Sequence, residues 1–515
     1  MTALTSGGDT LVTVLARRAA ESPSSPWLVF EDLEGAVERR SYGEAMRRAG
    51  GTASVLRQRG VGRGDRVHVH LWNCPEFYDV WFGSALLGAV MVPTNPMLTA
   101  DELAYVVGHA SCKVSVTQPE LMDTIRTAGG SSARLVVGTS DPIEGATAFE
   151  SELQRAGALD AEAVGPADVA AVLYTSGTTS RPKGVQVTHA NYLHVGEVIS
   201  QHLRIRPGDR MLIALPLFHA NAQYYSTMSA LVTGSSLIVM ERFSASRWAA
   251  VAARHSATLA SLFAAPIRML LAQPERVADA GNELRAVLFS QNVTPEQLAA
   301  FERRFGCPLL QLYGMTETIA PPTLNPLYGT RHNMSIGRPT LGARLRVVDK
   351  QGHDASEGEV GELLVAGEPG TTLMAGYLGD EEATHEAITD GWLHTGDNVR
   401  VDGDGYFHFV DRAKDMIKRA GENVAASEIE NVVNSHPAVF ESAAIGVPDE
   451  MRDEAIKVYV VLSNGASATL DDLTDWCASR LARFKIPGSI EFVDSLPRTS
   501  VGKIRKEVLR MGRRV

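Results

Sequence analysis

Short apolar runs alternate with amphipathic stretches of about 10 to 15 residues from residue 41 to residue 312, and this alternation limits the fold more than any other property of the chain. Apolar positions recur at helical spacing over 41–60, after which Arg66-Val67-His68-Val69-His70-Leu71-Trp72 alternates as a strand does. A helix over 75–88 leads into the apolar run Ala89-Val90-Met91-Val92-Pro93. Further along, 169–173, 211–215, 236–240, 258–263, 284–289 and 309–312 read as strands, with helices at 219–233, 245–255 and 294–305. A helix between two strands returns the chain to the end from which it started, so successive strands run parallel. Ligands are expected where such strands end in polar residues, at the carboxyl edge of the sheet.

From about Ile336 the pattern changes to short strands with Gly/Asp turns, at 344–348, 362–365 and 392–410, which suits a small antiparallel or barrel-like subdomain. Within it, Asp402-Gly403-Asp404-Gly405 has the look of a calcium loop, but it lacks the bidentate acid and ligand spacing of an EF-hand and reads as a hairpin turn. After Asp411-Arg412-Ala413-Lys414-Asp415 a fresh α/β pattern begins: helix 426–434, strands 442–447 and 456–462, helix 470–483, strand 489–493. The expected class is therefore α/β. A large N-terminal domain (1–411) of parallel α/β subdomains carries a small β-rich subdomain, and a small α+β C-terminal domain (412–515) follows, joined near Lys414.

A chain of 515 residues exceeds what one hydrophobic core usually serves, and 44% hydrophobic with 21% charged residues is ordinary globular usage. The net charge of −11 excludes a general attraction to nucleic acid or to an anionic membrane surface. Basic residues gather only at the C-terminal end, where Lys503, Arg505, Lys506, Arg510, Arg513 and Arg514 face Glu507 alone and read as a solvated tail. Four scattered cysteines (Cys74, Cys112, Cys307, Cys477) have no metal-like spacing and suit a reducing compartment. Residues 1–10 do not read as a signal peptide, and apolar stretches such as 230–240 are broken by Gly234-Ser235-Ser236 well short of the roughly 18 residues a membrane span needs. The reading is a cytoplasmic enzyme, with a homodimer allowed but not required.

The chemistry centres on Tyr174-Thr175-Ser176-Gly177-Thr178-Thr179-Ser180-Arg181-Pro182-Lys183-Gly184, a polar loop entered from a strand. Five Ser and Thr residues and two glycines around one lysine expose hydroxyl and backbone N–H donors of the kind a polyphosphate needs. The final glycine and magnesium-binding hydroxyl of a Walker A loop are missing, so this is not an ordinary P-loop. Tyr313-Gly314-Met315-Thr316-Glu317-Thr318 places a flat ring, hydroxyls and a carboxylate after a strand, where a nucleotide and its metal could sit. Trp392-Leu393-His394-Thr395-Gly396-Asp397 offers a carboxylate for ribose hydroxyls. Asp411-Arg412, Lys418-Arg419-Ala420-Gly421-Glu422-Asn423 and Pro497-Arg498-Thr499-Ser500-Val501-Gly502-Lys503-Ile504 complete the set. Each alone could be a turn or a helix start.

In this order and spacing the chain resembles the adenylate-forming (AMP-dependent) superfamily of acyl-CoA synthetases, non-ribosomal adenylation domains and luciferases. It is closest in wording to crotonobetaine/carnitine CoA ligases, and the resemblance covers almost the whole chain. It implies that a carboxylate and ATP give acyl-AMP and pyrophosphate, after which the thiol of coenzyme A displaces AMP. A carboxylate of pKa about 4 is already anionic at neutral pH, so the first step needs positioning and charge neutralisation but no general base. By motif match Thr175, Ser176, Gly177, Thr178, Thr179 and Lys183 would hold phosphates, and Tyr313 and Gly314 would line the adenine. Asp397 and Arg412 would bind ribose. Thr316 would meet the α-phosphate, Glu317 with Thr178 would hold Mg2+, and Lys503 would neutralise charge during adenylation.

The resemblance also implies that the C-terminal domain swings about Lys414 between the two steps, bringing Gly421, Glu422 and Asn423 to the coenzyme A tunnel. His219 would gate between that tunnel and an acid pocket of Ala220, Asn221, Gln223, Tyr224, Ser290 and Gln291. The chain departs from the family at Ser180, where glycine is usual, and at Ser290-Gln291-Asn292, where small residues are common and bulkier side chains now project. Two alternatives stay open: an enzyme that loads a carrier-protein phosphopantetheine, and a catalytically silent nucleotide-binding homologue. The absence of an acidic residue over 211–240 leads us to expect a neutral, bulky, largely apolar acid and not a quaternary betaine.

Overall fold

A computed structural model describes residues 7–130, 133–139, 143–159, 161–175, 181–290, 292–412, 415–419, 422–449, 453–498 and 504–511. Its N-terminal body contains two sheets that share one helical layer. The first has nine strands, in spatial order Arg338–Pro339, Thr323–Leu324, Leu309–Tyr313, Ala286–Ser290, Leu259–Phe263, Arg210–Ile213, Ser236–Met240, Pro26–Glu31 and Val37–Ser41. The six strands from Leu309–Tyr313 to Pro26–Glu31 run parallel, and antiparallel strands close both edges. The second has eight strands and runs from Gly376–Tyr377 through Lys183–Thr188, Val169–Thr175, Val90–Pro93 and Arg66–His70 out to Thr147–Ala148.

Parallel strands are buried on both faces, which is why their sequences read as continuous Val/Leu/Ile runs. The helices Pro75–Leu86 and His189–Leu203 lie between the sheets, and Trp81, Tyr192 and Tyr224 join one core with Met211 and Leu237 of the first sheet and Val67 and Ala171 of the second. A second core, with Trp248, Phe301 and Phe305, covers the outer face of the nine-stranded sheet. A third, with Leu103, Val106 and Ile125, covers the outer face of the other sheet.

The expected antiparallel unit lies within residues 344–412, a five-stranded sheet built on Arg344–Val348, Gly361–Ala366 and the hairpin Trp392–Val401/Phe407–Arg412, while Gly376–Tyr377 between them joins the eight-stranded sheet. Asp402 closes that hairpin: its carboxylate accepts the backbone N–H groups of Asp404 and Tyr406 and faces His408 at 2.7 Å. Asp402 is thus the turn's own acceptor between the two paired strands, as the turn reading expects. A separate sheet follows, built from Met416–Arg419, Glu422–Ala425, Val439–Asp449, Asp453–Leu462 and Ser489–Phe492, with a core on each face.

The structure corrects several expectations. The helix expected over 219–233 begins with a π-helical segment, Ala222–Met228, before an α-helical end, Ser229–Thr233. Thr227 Oγ1 donates to the Ala222 carbonyl five residues back at 2.9 Å, an offset that matches the wider turn. The helix expected over 470–483 ends at Ala478, and Arg483–Lys485 is a separate 3-10 turn. The C-terminal basic cluster is no solvated tail where it is described. Lys506 is 14% exposed and pairs with Glu430 at 2.8 Å, and Arg510 pairs with Asp415 at 2.7 Å.

Candidate active site

Strand Val169–Thr175 returns as Lys183–Thr188 in antiparallel register, with Thr175 opposite Lys183. The phosphate-loop motif is therefore a hairpin loop, which separates it from a Walker loop that runs into a helix. Ser176, Gly177, Thr178 and Thr179 lie outside the described residues. At the loop's exit Tyr105 donates its hydroxyl to the Pro182 carbonyl at 3.1 Å, while the Arg181 guanidinium sits 5.4 Å from the Tyr105 ring.

Lys183 is aimed by a residue that the motifs did not single out. Gly376–Tyr377 pairs with the returning strand, Tyr377 opposite Val185, and the Lys183 Nζ lies 4.7 Å from the Tyr377 ring centre. The Tyr377 hydroxyl in turn donates to Glu317 Oε1 at 3.1 Å. The segment that delivers Tyr377 is pinned by the cap of helix His189–Leu203: Thr188 donates to the Gly370 carbonyl at 2.6 Å and Asn191 to the Leu373 carbonyl at 2.8 Å. Burial, followed by the Glu317 charge, pushes the Tyr377 phenol up, so it stays a neutral donor.

Strand Leu309–Tyr313 delivers the second motif to its carboxyl end. The Tyr313 hydroxyl donates to Asp397 Oδ2 at 2.6 Å, and its ring stacks on Phe409 at 6.4 Å. Asp397 is buried and sits opposite Arg412 in the hairpin. Tyr313, Asp397 and the Arg412 backbone thus meet, although the Arg412 side chain is outside the described residues. Gly314 is needed for close approach, since a Cβ there would come within 2.7 Å of the Tyr225 hydroxyl. Tyr224 donates to the Thr316 carbonyl at 3.3 Å, and Met374 N–H donates to the Glu317 carbonyl at 3.0 Å.

The expected acid pocket is partly assembled. His219 meets Phe263 edge-on at 5.5 Å, and its Nδ1 accepts the Asn221 N–H at 3.2 Å. Phe263 is in register with Ser290 on the neighbouring strand, which brings His219, Ala220, Asn221 and Ser290 to one sheet edge. Gln223 departs from this role. Its amide oxygen accepts from the Tyr192 hydroxyl at 2.6 Å and its nitrogen donates to the Leu217 carbonyl at 2.7 Å, so it braces the layer between the sheets. Gln291, Lys414, Gly421 and Lys503 lie outside the described residues, as do the side chains of Glu422 and Asn423.

Tyr377 and Phe263 escaped the sequence reading because each is a lone aromatic. Only the pairings Tyr377 with Val185 and Phe263 with Ser290 bring them to the site.

Comparison with known proteins bears directly on this arrangement. A family model described as AMP-binding enzyme matches residues 15–378, and one described as AMP-binding enzyme C-terminal domain matches residues 428–503. The chain is 37% identical over 492 residues to a crotonobetaine/carnitine–CoA ligase of Salmonella paratyphi A, covering 94% of this chain and 95% of that protein. It is 38% identical over 499 residues to the Proteus mirabilis protein of the same name, with the same coverage. Among solved structures, the anthranilate CoA ligase AuaEII in complex with anthranoyl-AMP superposes with a TM-score of 0.90 at 25% identity, covering 99% of both chains. ATP-bound MatB from Rhodopseudomonas palustris gives 0.87 at 29% identity, covering 97% of this chain and 98% of that one. The chain belongs to the AMP-binding enzyme family, within which it is an AMP-forming acid:CoA ligase.

Proposed function

We propose that this acid:CoA ligase activates a neutral, bulky and largely apolar carboxylic acid. The observation that carries the reading is the state of Tyr224 and Tyr225, which are 0% and 6% exposed. Tyr224 packs edge-on against Tyr192 at 5.7 Å and spends its hydroxyl on the Thr316 carbonyl, and Tyr225 lies against Gly314. Neither offers an open ring face for a trimethylammonium group, and no carboxylate lies in residues 211–240. Named relatives at 37–38% identity favour the opposite outcome, a betaine substrate. The test is kcat/KM for carnitine, crotonobetaine, medium-chain fatty acids and polycyclic or aryl acids. A preference for an apolar acid is expected. A preference for carnitine or crotonobetaine beyond about tenfold, or about 1.4 kcal/mol, would overturn the reading.

Within the reaction, Lys183 and the loop before it would hold the phosphates, and Tyr313 with Asp397 and Arg412 would hold the nucleoside. Glu317 is a buried carboxylate facing neutral phenols with Lys183 nearby, a hard oxygen donor that fits Mg2+. When bound, the ion would neutralise charge on the departing pyrophosphate. Lys503 would serve adenylation alone. Gly421, Glu422 and Asn423 would line the path of the coenzyme A thiol after the 412–515 unit turns about Lys414, with His219 gating that path.

A further inference from the structure

A buried carboxylate outside the motifs joins the two parts of the molecule. Glu441, on strand Val439–Asp449, is 4% exposed. The Arg498 guanidinium donates to its Oε2, and Nη2 of Arg268 lies 3.8 Å from the same oxygen. Arg268 belongs to the N-terminal body, on helix Ala264–Leu271, which directly follows Phe263 of the acid-pocket edge. Its Nη1 also donates to the carbonyl of Asn292, just beyond Ser290-Gln291, at 3.3 Å. Arg498 precedes the segment 499–503 and forms an antiparallel bridge with Ile504, while Arg505 N–H donates to the Pro497 carbonyl at 2.7 Å. The two ends of the segment that carries Lys503 are therefore tied together.

We infer that Glu441 is a positioning residue for adenylation, linking Arg498 at the base of the Lys503 segment to Arg268 beside the acid pocket. Two guanidinium groups, one largely buried and one partly exposed, converge on one buried carboxylate. Removing that carboxylate sets two like charges against each other and leaves Arg268 only the more distant Glu430 as a balancing charge, which costs more in a partly buried site than at a surface. Burial also pushes the Arg268 guanidinium down, so Arg268 depends on this partner. Because Arg268 lies on one unit and Glu441 with Arg498 on the other, the link exists only in this relative orientation. It would be released when the C-terminal unit turns for thioester formation. Glu441 touches no substrate. It acts through the lysine.

The inference rests on the reading of Lys503 as the adenylation lysine, and the experiment separates the two. In Glu441→Gln, kcat for ATP/pyrophosphate exchange should fall by about tenfold to a hundredfold, the loss expected when a catalytic group is misplaced by about 1 Å. Thioester formation from supplied acyl-AMP should stay within about twofold, which also shows that the variant folds. Arg268→Lys, which keeps the charge, should lose less than Arg268→Gln. On a Lys503→Ala background Glu441→Gln should add less than about twofold to the adenylation defect. Equal loss in both half-reactions, no loss in either, or a full additional loss on the Lys503→Ala background would each overturn the inference. If Lys503→Ala itself spares adenylation, the lysine assignment falls and takes this inference with it. If Lys503→Ala is selective and Glu441→Gln is not, only the inference falls.

Discussion

Around Tyr313 and Glu317 the polar contacts join elements of one packed body: Tyr313 to Asp397, Tyr377 to Glu317, Tyr224 to the backbone of Thr316. Around Arg498 the contacts cross between units through charged groups, Glu441 and Arg268. This contrast offers a way for one site to serve two reactions. On the proposed roles, the groups that would hold what both steps share, the nucleotide, sit where a core fixes them. Groups that would be needed for one step sit where a few ionic links can open, because charge pairs are directional and lose little packing when they part.

On the thioester side, the variant expected to break this comparison is Gly421→Leu. A bulky side chain in a passage used only after the C-terminal unit turns should lower thioester formation by at least about a hundredfold while ATP/pyrophosphate exchange continues. A rapid-quench assay of each half-reaction reads this, and retained thioester synthesis would contradict it. Asp397→Ala comes next and should behave oppositely in kind. It belongs to the fixed half, so both half-reactions should weaken, by about tenfold to a hundredfold in kcat/KM, the worth of a buried charged hydrogen bond. A loss confined to one step would contradict the division.

Tyr377→Phe tests the fixed half more finely. It keeps the ring under Lys183 and removes only the hydroxyl bound to Glu317, so about a fivefold loss in adenylation is expected, about 1 kcal/mol. Tyr377→Ala should lose clearly more, and equal losses would show that the ring does not aim the lysine.

A further expectation concerns stability and leaves catalysis aside. In the N-terminal body burial lowers the pKa of His70 and of His189 to about 4, and lowers that of His68 well below its ordinary value. The unfolded chain binds protons at these sites below about pH 6.5 and the folded body does not, so stability falls as pH drops from about 6.5 toward 4. At pH 5 one such histidine costs about 2 kcal/mol. Urea midpoints at pH 7 and pH 5, followed by tryptophan fluorescence, should differ for the parent and differ less for His70→Asn. An unchanged pH dependence would contradict the assignment.

Much of this was legible in the sequence, for identifiable reasons. The parallel strands announced themselves because burial on both faces demands runs such as Ser236–Met240, and Tyr313 and Asp397 announced themselves by motif. Tyr377 did not, because its role arises from a two-residue strand pairing far along the chain. The phosphate motif showed a loop but not that the chain returns antiparallel, since Lys183–Thr188 has the same β-rich composition as a parallel strand. Glu441 looked like one more acid in an alternating strand until Arg268, 173 residues earlier, was found against it. The π-helical turn at Ala222–Met228 was invisible because apolar spacing does not distinguish it from an α-helix.

The most direct test of a fixed half that serves both steps and a docked half that serves one is Lys503→Ala, assayed in two separate half-reactions. ATP/pyrophosphate exchange with a good acid substrate is expected to fall by at least about a thousandfold, while thioester formation from supplied acyl-AMP and coenzyme A stays within about threefold of the parent. Equal loss in the two half-reactions would contradict it.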